Sequence, residues 1–71
     1  MQTIEFLLEG EYIELLKLLK AVNIAQTGGH AKMIVDDELV VRNGEVETRR
    51  RAKLVKGDVL VIDEEIEITI V

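Results

Sequence analysis

The dipeptide Asn43-Gly44, set between Leu39-Val40-Val41-Arg42 and Glu45-Val46-Glu47, constrains this chain more than any other feature. Both residues tolerate the positive φ of a type I′ turn, whose twist matches that of two antiparallel strands. A β-hairpin is thereby fixed near the middle of the chain, and the other elements must pack around it. The chain has 71 residues, which is room for one small domain, so residues 1–71 are read as a single unit. It contains no cysteine, which excludes disulfide staples, Cys-ligated zinc and thiol catalysis. So short a chain must then be held by efficient aliphatic packing. Leu, Ile and Val are abundant, while Phe6 and Tyr12 are the only aromatic residues.

On the N-terminal side of the hairpin the apolar spacing is mostly helical. Thr3 to Leu8 suits a short strand with Ile4, Phe6 and Leu8 on one face, and Gly10 interrupts it. Glu11 to Val22 then predicts a helix whose apolar stripe is Tyr12, Leu15, Leu16, Leu19 and Val22. Thr27 reads as the N-cap of a second short helix that runs on through Val35. Asp36 and Asp37 fall near the end of that helix, where the dipole mildly disfavours negative charge. On the C-terminal side the pattern is strand-like. A basic run from Arg49 is followed by a turn at Lys56-Gly57-Asp58 and an apolar strand from Val59 to Ile62. A polar turn at Asp63-Glu64-Glu65 leads to an alternating last strand from Ile66 to Ile70. Helices early and strands late predict an α+β fold, with two short helices on a small, mainly antiparallel sheet.

The formal net charge is −5, but the charge is segregated along the chain. Residues 1–14 carry −4 and residues 59–71 carry −4, whereas residues 49–58 carry +4. Binding responds to local potential, so an acidic protein can still present a basic face.

The pieces also occur in a familiar order. A leucine-rich helix, Thr27-Gly28-Gly29-His30-Ala31-Lys32 at a helix start, the Val40-Val41-Arg42-Asn43-Gly44-Glu45-Val46 hairpin, Arg49-Arg50 and Lys56-Gly57-Asp58-Val59 follow one another. From Tyr12 to Ile62 the chain resembles the S-four-like RNA-binding domain, or αL motif, in particular its small stand-alone bacterial members of the YbcJ/YaaA type. The resemblance implies two helices on a small sheet containing the hairpin, and a surface for structured RNA of the ribosomal or transfer class. It implies RNA contacts from Thr27, Gly28, Gly29, His30 and Lys32 at the helix start, Asn43 at the hairpin, and Arg49, Arg50, Arg51 and Lys53 in the basic run. The chain departs from the family pattern in placing Gly28-Gly29 where an arginine is common, and Lys56 where a proline usually precedes Gly-Asp.

Each of these residues also has a plainer reading. Guanidinium groups bridge phosphate oxygens, and three in a row are too many to be used inside a small core. A charged loop that keeps a strand edge soluble is the alternative. A helix start with two glycines offers free amides at a positive dipole end, although capped helix starts are common. It lacks the Gly-Lys-Ser/Thr ending of a nucleotide-binding loop. His30 stands alone, so it supports neither a metal cage nor a catalytic triad, and Asn43-Gly44 is explained by the turn itself. Lys17 and Lys20 would extend the basic surface or pair with Glu14.

The sequence thus predicts a cytoplasmic, monomeric RNA-binding module without catalytic residues, metal, cofactor, small-molecule substrate or membrane contact. With so few aromatic residues, recognition would run through phosphates and shape rather than base stacking. The alternative is a protein-interaction adaptor that uses acidic surfaces and a free edge at the last strand.

Overall fold

The first and last strands of the chain lie side by side. In the computed structural model, which describes residues 1–71, β1 (Gln2–Phe6) pairs in parallel with β7 (Ile66–Ile70). Between them in sequence come β2 (Ile13–Glu14), α1 (Leu15–Ala21), α2 (Gly28–Asp36), β3 (Val40–Arg42), β4 (Glu45–Val46), β5 (Lys53–Leu54) and β6 (Val59–Ile62). The main sheet has the order β1-β7-β6-β3-β4, and every pair except β1–β7 is antiparallel. A second, two-stranded ladder joins β2 to β5. This is the α+β arrangement that the sequence predicts.

The Asn43-Gly44 turn forms as its sequence demands. Asn43 and Gly44 have φ of 50° and 89°, and Val41 and Arg42 face Val46 and Glu45 across the hairpin. The last strand is not an edge, however. β7 is interior, paired on both sides by β1 and β6, and the free edges of the main sheet are β1 and β4.

The core draws on alternate residues of the strands and one stripe of each helix. Leu60, Ile62, Ile68 and Ile70 are buried from β6 and β7, while Val59, Val61, Glu67 and Thr69 on the opposite face are only partly covered. The helices contribute Leu15, Leu18 and Leu19 from α1 and Ala31, Ile34 and Val35 from α2. Burying such side chains contributes about 1.5–3 kcal/mol each before conformational entropy is counted.

The first helix is shorter than its periodicity suggests. It begins at Leu15, because Ile13 and Glu14 are drawn into the ladder with Leu54 and Lys53. The Leu15 amide donates to the Ala52 carbonyl at 2.9 Å, which extends that contact into the helix start. Tyr12 is therefore left out of the stripe, 46% exposed, with the Lys53 ammonium 4.9 Å from its ring centre. Leu18, outside the predicted stripe, is fully buried instead. Spacing alone permitted both faces, and the β2–β5 pairing selected one. Neither helix is long and apolar enough to cross a membrane.

Candidate nucleic-acid interface

The basic run leaves β4 and curls over the surface before β5, and each of its arginines meets a carboxylate from a different element. Arg49 forks onto Glu47, with Nε donating to Oε1 and Nη2 to Oε2, both at 3.0 Å. Arg50 forks onto Asp36, the last residue of α2, at 3.0 and 2.6 Å. Arg51 donates from Nε to Glu14 at 3.1 Å. The three arginines are not used in the core, yet each has a partner within the protein. The carboxylates are brought to them by chain reversals that sequence distance conceals. The Arg50 contact also accounts for Asp36, which compensates an unfavourable dipole position with a two-point ion pair.

These are surface pairs all the same. The side chains of Arg49, Arg50 and Arg51 are 72%, 50% and 81% exposed. In all three the Nη1 group makes no hydrogen bond within the protein. A guanidinium carries five donors, so one edge held by a carboxylate leaves others to face outward.

Next to the run lies a tighter cluster of Arg42, Asn43, Glu47 and Asp58, of which sequence reading offered only Asn43 as an RNA contact. Arg42 is mostly covered. It donates through Nη2 to Asp58 at 2.8 Å and to the Lys53 carbonyl at 2.9 Å, and through Nη1 to Glu47 at 3.4 Å. Asn43 donates to the other Asp58 oxygen at 3.0 Å, and its own side-chain carbonyl accepts from the Val59 amide at 2.9 Å. Asp58 also accepts from the Val55 amide at 2.9 Å. Both polar ends of Asn43 are thus committed inside the fold. The signal for this cluster was faint: Arg42 and Asp58 flank two turns sixteen residues apart.

The electrostatics follow the contacts. The fork from Arg49 outweighs the cost of burial and holds the Glu47 carboxyl at about 2, helped by the Arg49 amide and by Arg42. Arg50 likewise lowers Asp36 against a smaller effect of burial, and the charge of Lys32 adds to it. At Asp58 burial is the largest single influence and acts upward, but the Val55 amide, Asn43 and Arg42 together bring the carboxyl down. Arg49 and Arg50 are raised by the same partners.

Arg42, Arg49, Arg51 and Lys53 line one shallow concavity, and Arg42, Asn43 and Arg49 line the next. Lys32 lies in the middle of α2, one turn before Asp36. Lys17 stands apart in a groove with Phe6 and Tyr12, and Glu14 goes to Arg51 instead of a lysine.

The start of α2 is a separate place. Thr27 caps it as predicted, its hydroxyl accepting from the His30 amide at 3.1 Å. The amides of Gly28 and Gly29 make no hydrogen bond within the protein. A Cβ added at Gly28 would meet nothing within 4 Å, so packing does not demand glycine there. His30 is exposed and borders a cleft with Asp63 and Glu65 of the β6–β7 turn. A helix of this length separates its ends by about 13 Å. The fold therefore gathers Lys32, Asn43, Arg49, Arg50, Arg51 and Lys53 towards one end of α2 and leaves Thr27, Gly28, Gly29 and His30 at the other. No group of three His, Asp or Glu side chains is arranged to hold a metal ion.

Comparison with known proteins agrees with this architecture. Residues 6–71 match the family described as the S4 domain. Over 56 residues the chain is 38% identical to the probable ribosome maturation protein RlbA of Bacillus subtilis, and the aligned part covers 79% of each chain.

Proposed function

The chain belongs to the S4 domain family, and from that premise we propose that it is an RNA-binding module for structured RNA of the ribosomal class. The observation that carries this reading is the exposed arginine run, whose guanidinium groups are each held along one edge by Glu47, Asp36 or Glu14. A guanidinium whose direction is already fixed loses less rotamer freedom when it meets a phosphate. The carboxylates partly neutralise the arginines, and they also orient them. On this face the six cations Lys32, Arg42, Arg49, Arg50, Arg51 and Lys53 stand against the five carboxylates Glu14, Asp36, Glu45, Glu47 and Asp58.

The ribosomal assignment is supported by the name of the Bacillus subtilis relative, a probable ribosome maturation protein. Phosphate and shape recognition suits a protein with so few aromatic residues. The start of α2 adds weaker contacts through the amides of Gly28 and Gly29, with His30 and Thr27 beside them. The module acts by binding, as a single unit over residues 1–71, without catalysing a reaction.

Titration of a folded ribosomal RNA fragment across a salt series tests this. Counterion release predicts a log–log slope of about −0.7 to −0.9 per phosphate contact. The Arg49, Arg50 and Arg51 to Ala variant binds more weakly with a shallower slope. Absence of binding at low salt contradicts the proposal.

A further inference from the structure

The face around β1 differs from the arginine face in charge, in shape and in what it leaves unsatisfied. β1 is an edge of the main sheet, and it lies almost wholly before the matched residues 6–71. Its even-numbered residues turn their backbone towards β7. The Gln2 amide donates to Glu65, the Leu8 amide to Val71, and the Phe6 carbonyl accepts from Val71, each at 2.9 Å. In a parallel ladder alternate residues bond to the same neighbour. The amides and carbonyls of Thr3, Glu5 and Leu7 therefore point outward from the sheet.

Beside this edge runs an open groove of about 550 Å³, lined by the apolar Phe6, Leu7, Leu8 and Ile13, by Tyr12, and by the charged Glu9, Glu14 and Lys17. Leu7 is 71% exposed, a large apolar side chain lying in water next to an unpaired strand edge. Glu9 lines the groove and Glu5 stands on the edge strand itself, and neither forms an ion pair. Natural edges are usually blunted by lysine, proline or a bulge. This one has a single lysine nearby, Lys17, and carboxylates elsewhere.

The geometry points to a second binding surface at which β1 accepts an extended, basic segment of another protein as an added strand. The incoming backbone pairs with the outward groups of Thr3, Glu5 and Leu7. One of its apolar side chains enters the groove between Leu7 and Tyr12, and its Lys or Arg side chains meet Glu5 and Glu9. Charge selects this occupant over a second copy of the chain, because two β1 edges would bring like-charged glutamates together. The surface uses none of the arginines, and it meets the arginine face only at Glu14, which lines the groove and pairs with Arg51, and at Tyr12, which lies under the Lys53 ammonium.

The probe is a fluorescently labelled peptide of alternating lysine with leucine or valine, compared with the same peptide carrying glutamate for lysine. Binding is read by anisotropy and by amide hydrogen exchange of the protein. The lysine peptide binds at least tenfold more tightly than its acidic counterpart and slows exchange at Thr3, Glu5 and Leu7. Glu5→Lys with Glu9→Lys weakens it at least tenfold. Thr3→Pro, which removes only an outward donor, does the same while leaving the melting temperature within a few degrees. The Arg49 and Arg50 to Ala variant, which leaves the Arg51–Glu14 pair in place, binds the peptide as the parent does. Equal binding of both peptides overturns the proposal, as does protection confined to residues away from β1. Self-association that protects Thr3, Glu5 and Leu7 without peptide also overturns it.

Discussion

The two ends of α2 are both features that RNA-binding proteins use, and the fold equips them differently. At its C-terminal end Asp36 takes the Arg50 fork, with Lys32 one turn back and Arg49 next along the chain. At its N-terminal end Gly28 and Gly29 expose two free amides, but His30 borders a cleft shared with Asp63 and Glu65. One end offers full charges in fixed directions. The other offers partial charges beside an acidic turn. The dipole of a short surface helix contributes about 0.3–1 kcal/mol, whereas several phosphate contacts together shift affinity by orders of magnitude as salt changes. A basic surface is therefore built less by the number of cations than by the carboxylates that aim them.

That contrast can be broken most strongly at the arginines. Removing Arg49, Arg50 and Arg51 together lowers affinity for a folded ribosomal RNA fragment by about 100-fold at low salt and reduces the salt slope by about 2. The same variant loses about 1–3 kcal/mol of stability, chiefly because removing Arg49 leaves the buried Glu47 carboxylate with only its longer Arg42 contact, while the more exposed Arg50 and Arg51 pairs contribute about 0–1 kcal/mol each. Fluorescence titration and urea unfolding on one preparation separate the two effects.

Acid comes next. Glu47, Asp36 and Asp58 all have carboxyl groups lowered in the folded state. Folding is then favoured above the ordinary carboxylate range, and that contribution fades as pH falls towards the folded values. Urea midpoints should be level near pH 7 and fall steadily between about pH 5 and pH 2. Glu47→Gln removes a carboxylate that joins Arg49 to Arg42, costs about 1–3 kcal/mol at pH 7, and flattens the acid limb.

The smallest changes sharpen the comparison from the glycine side. Gly28→Ala places a methyl group in open space inside a helix, and raises stability by about 0.5–1 kcal/mol. RNA affinity should fall by less than tenfold, since the contacts proposed for this helix start are the weaker ones. Glu38, the residue that ends the turn after α2 at φ 59°, is a second such position. Glu38→Gly relieves left-handed strain by about 1 kcal/mol in thermal unfolding, without changing RNA binding.

Local signals were legible and distant ones were not. Asn43-Gly44 specified its hairpin, and Thr27 its cap, because each works through atoms within three residues. The alternation of Ile66 to Ile70 set Ile68 and Ile70 on one face, which is the buried one, whereas the uniformly apolar Val59 to Ile62 named no face. The start of α1 was misplaced because Ile13 and Glu14 answer to Leu54 and Lys53, some forty residues away. The interior place of β7 depends on β1, at the far end of the chain. The arginine run was visible as charge, but its partners were hidden for the same reason. Arg51 and Glu14 lie 37 residues apart, and Arg50 and Asp36 lie 14 apart. Only Glu47, two residues before Arg49, was near enough to be read from the sequence.

The most direct test follows the arginine Nε–H signals and the backbone amides by NMR while a folded ribosomal RNA fragment is added. The account predicts the largest changes at the Nε–H groups of Arg49, Arg50 and Arg51 and the amides from Arg49 to Lys53, with smaller changes at Gly28 and Gly29. If the Gly28 and Gly29 amides move while the arginine signals stay still, the account of the RNA site is contradicted.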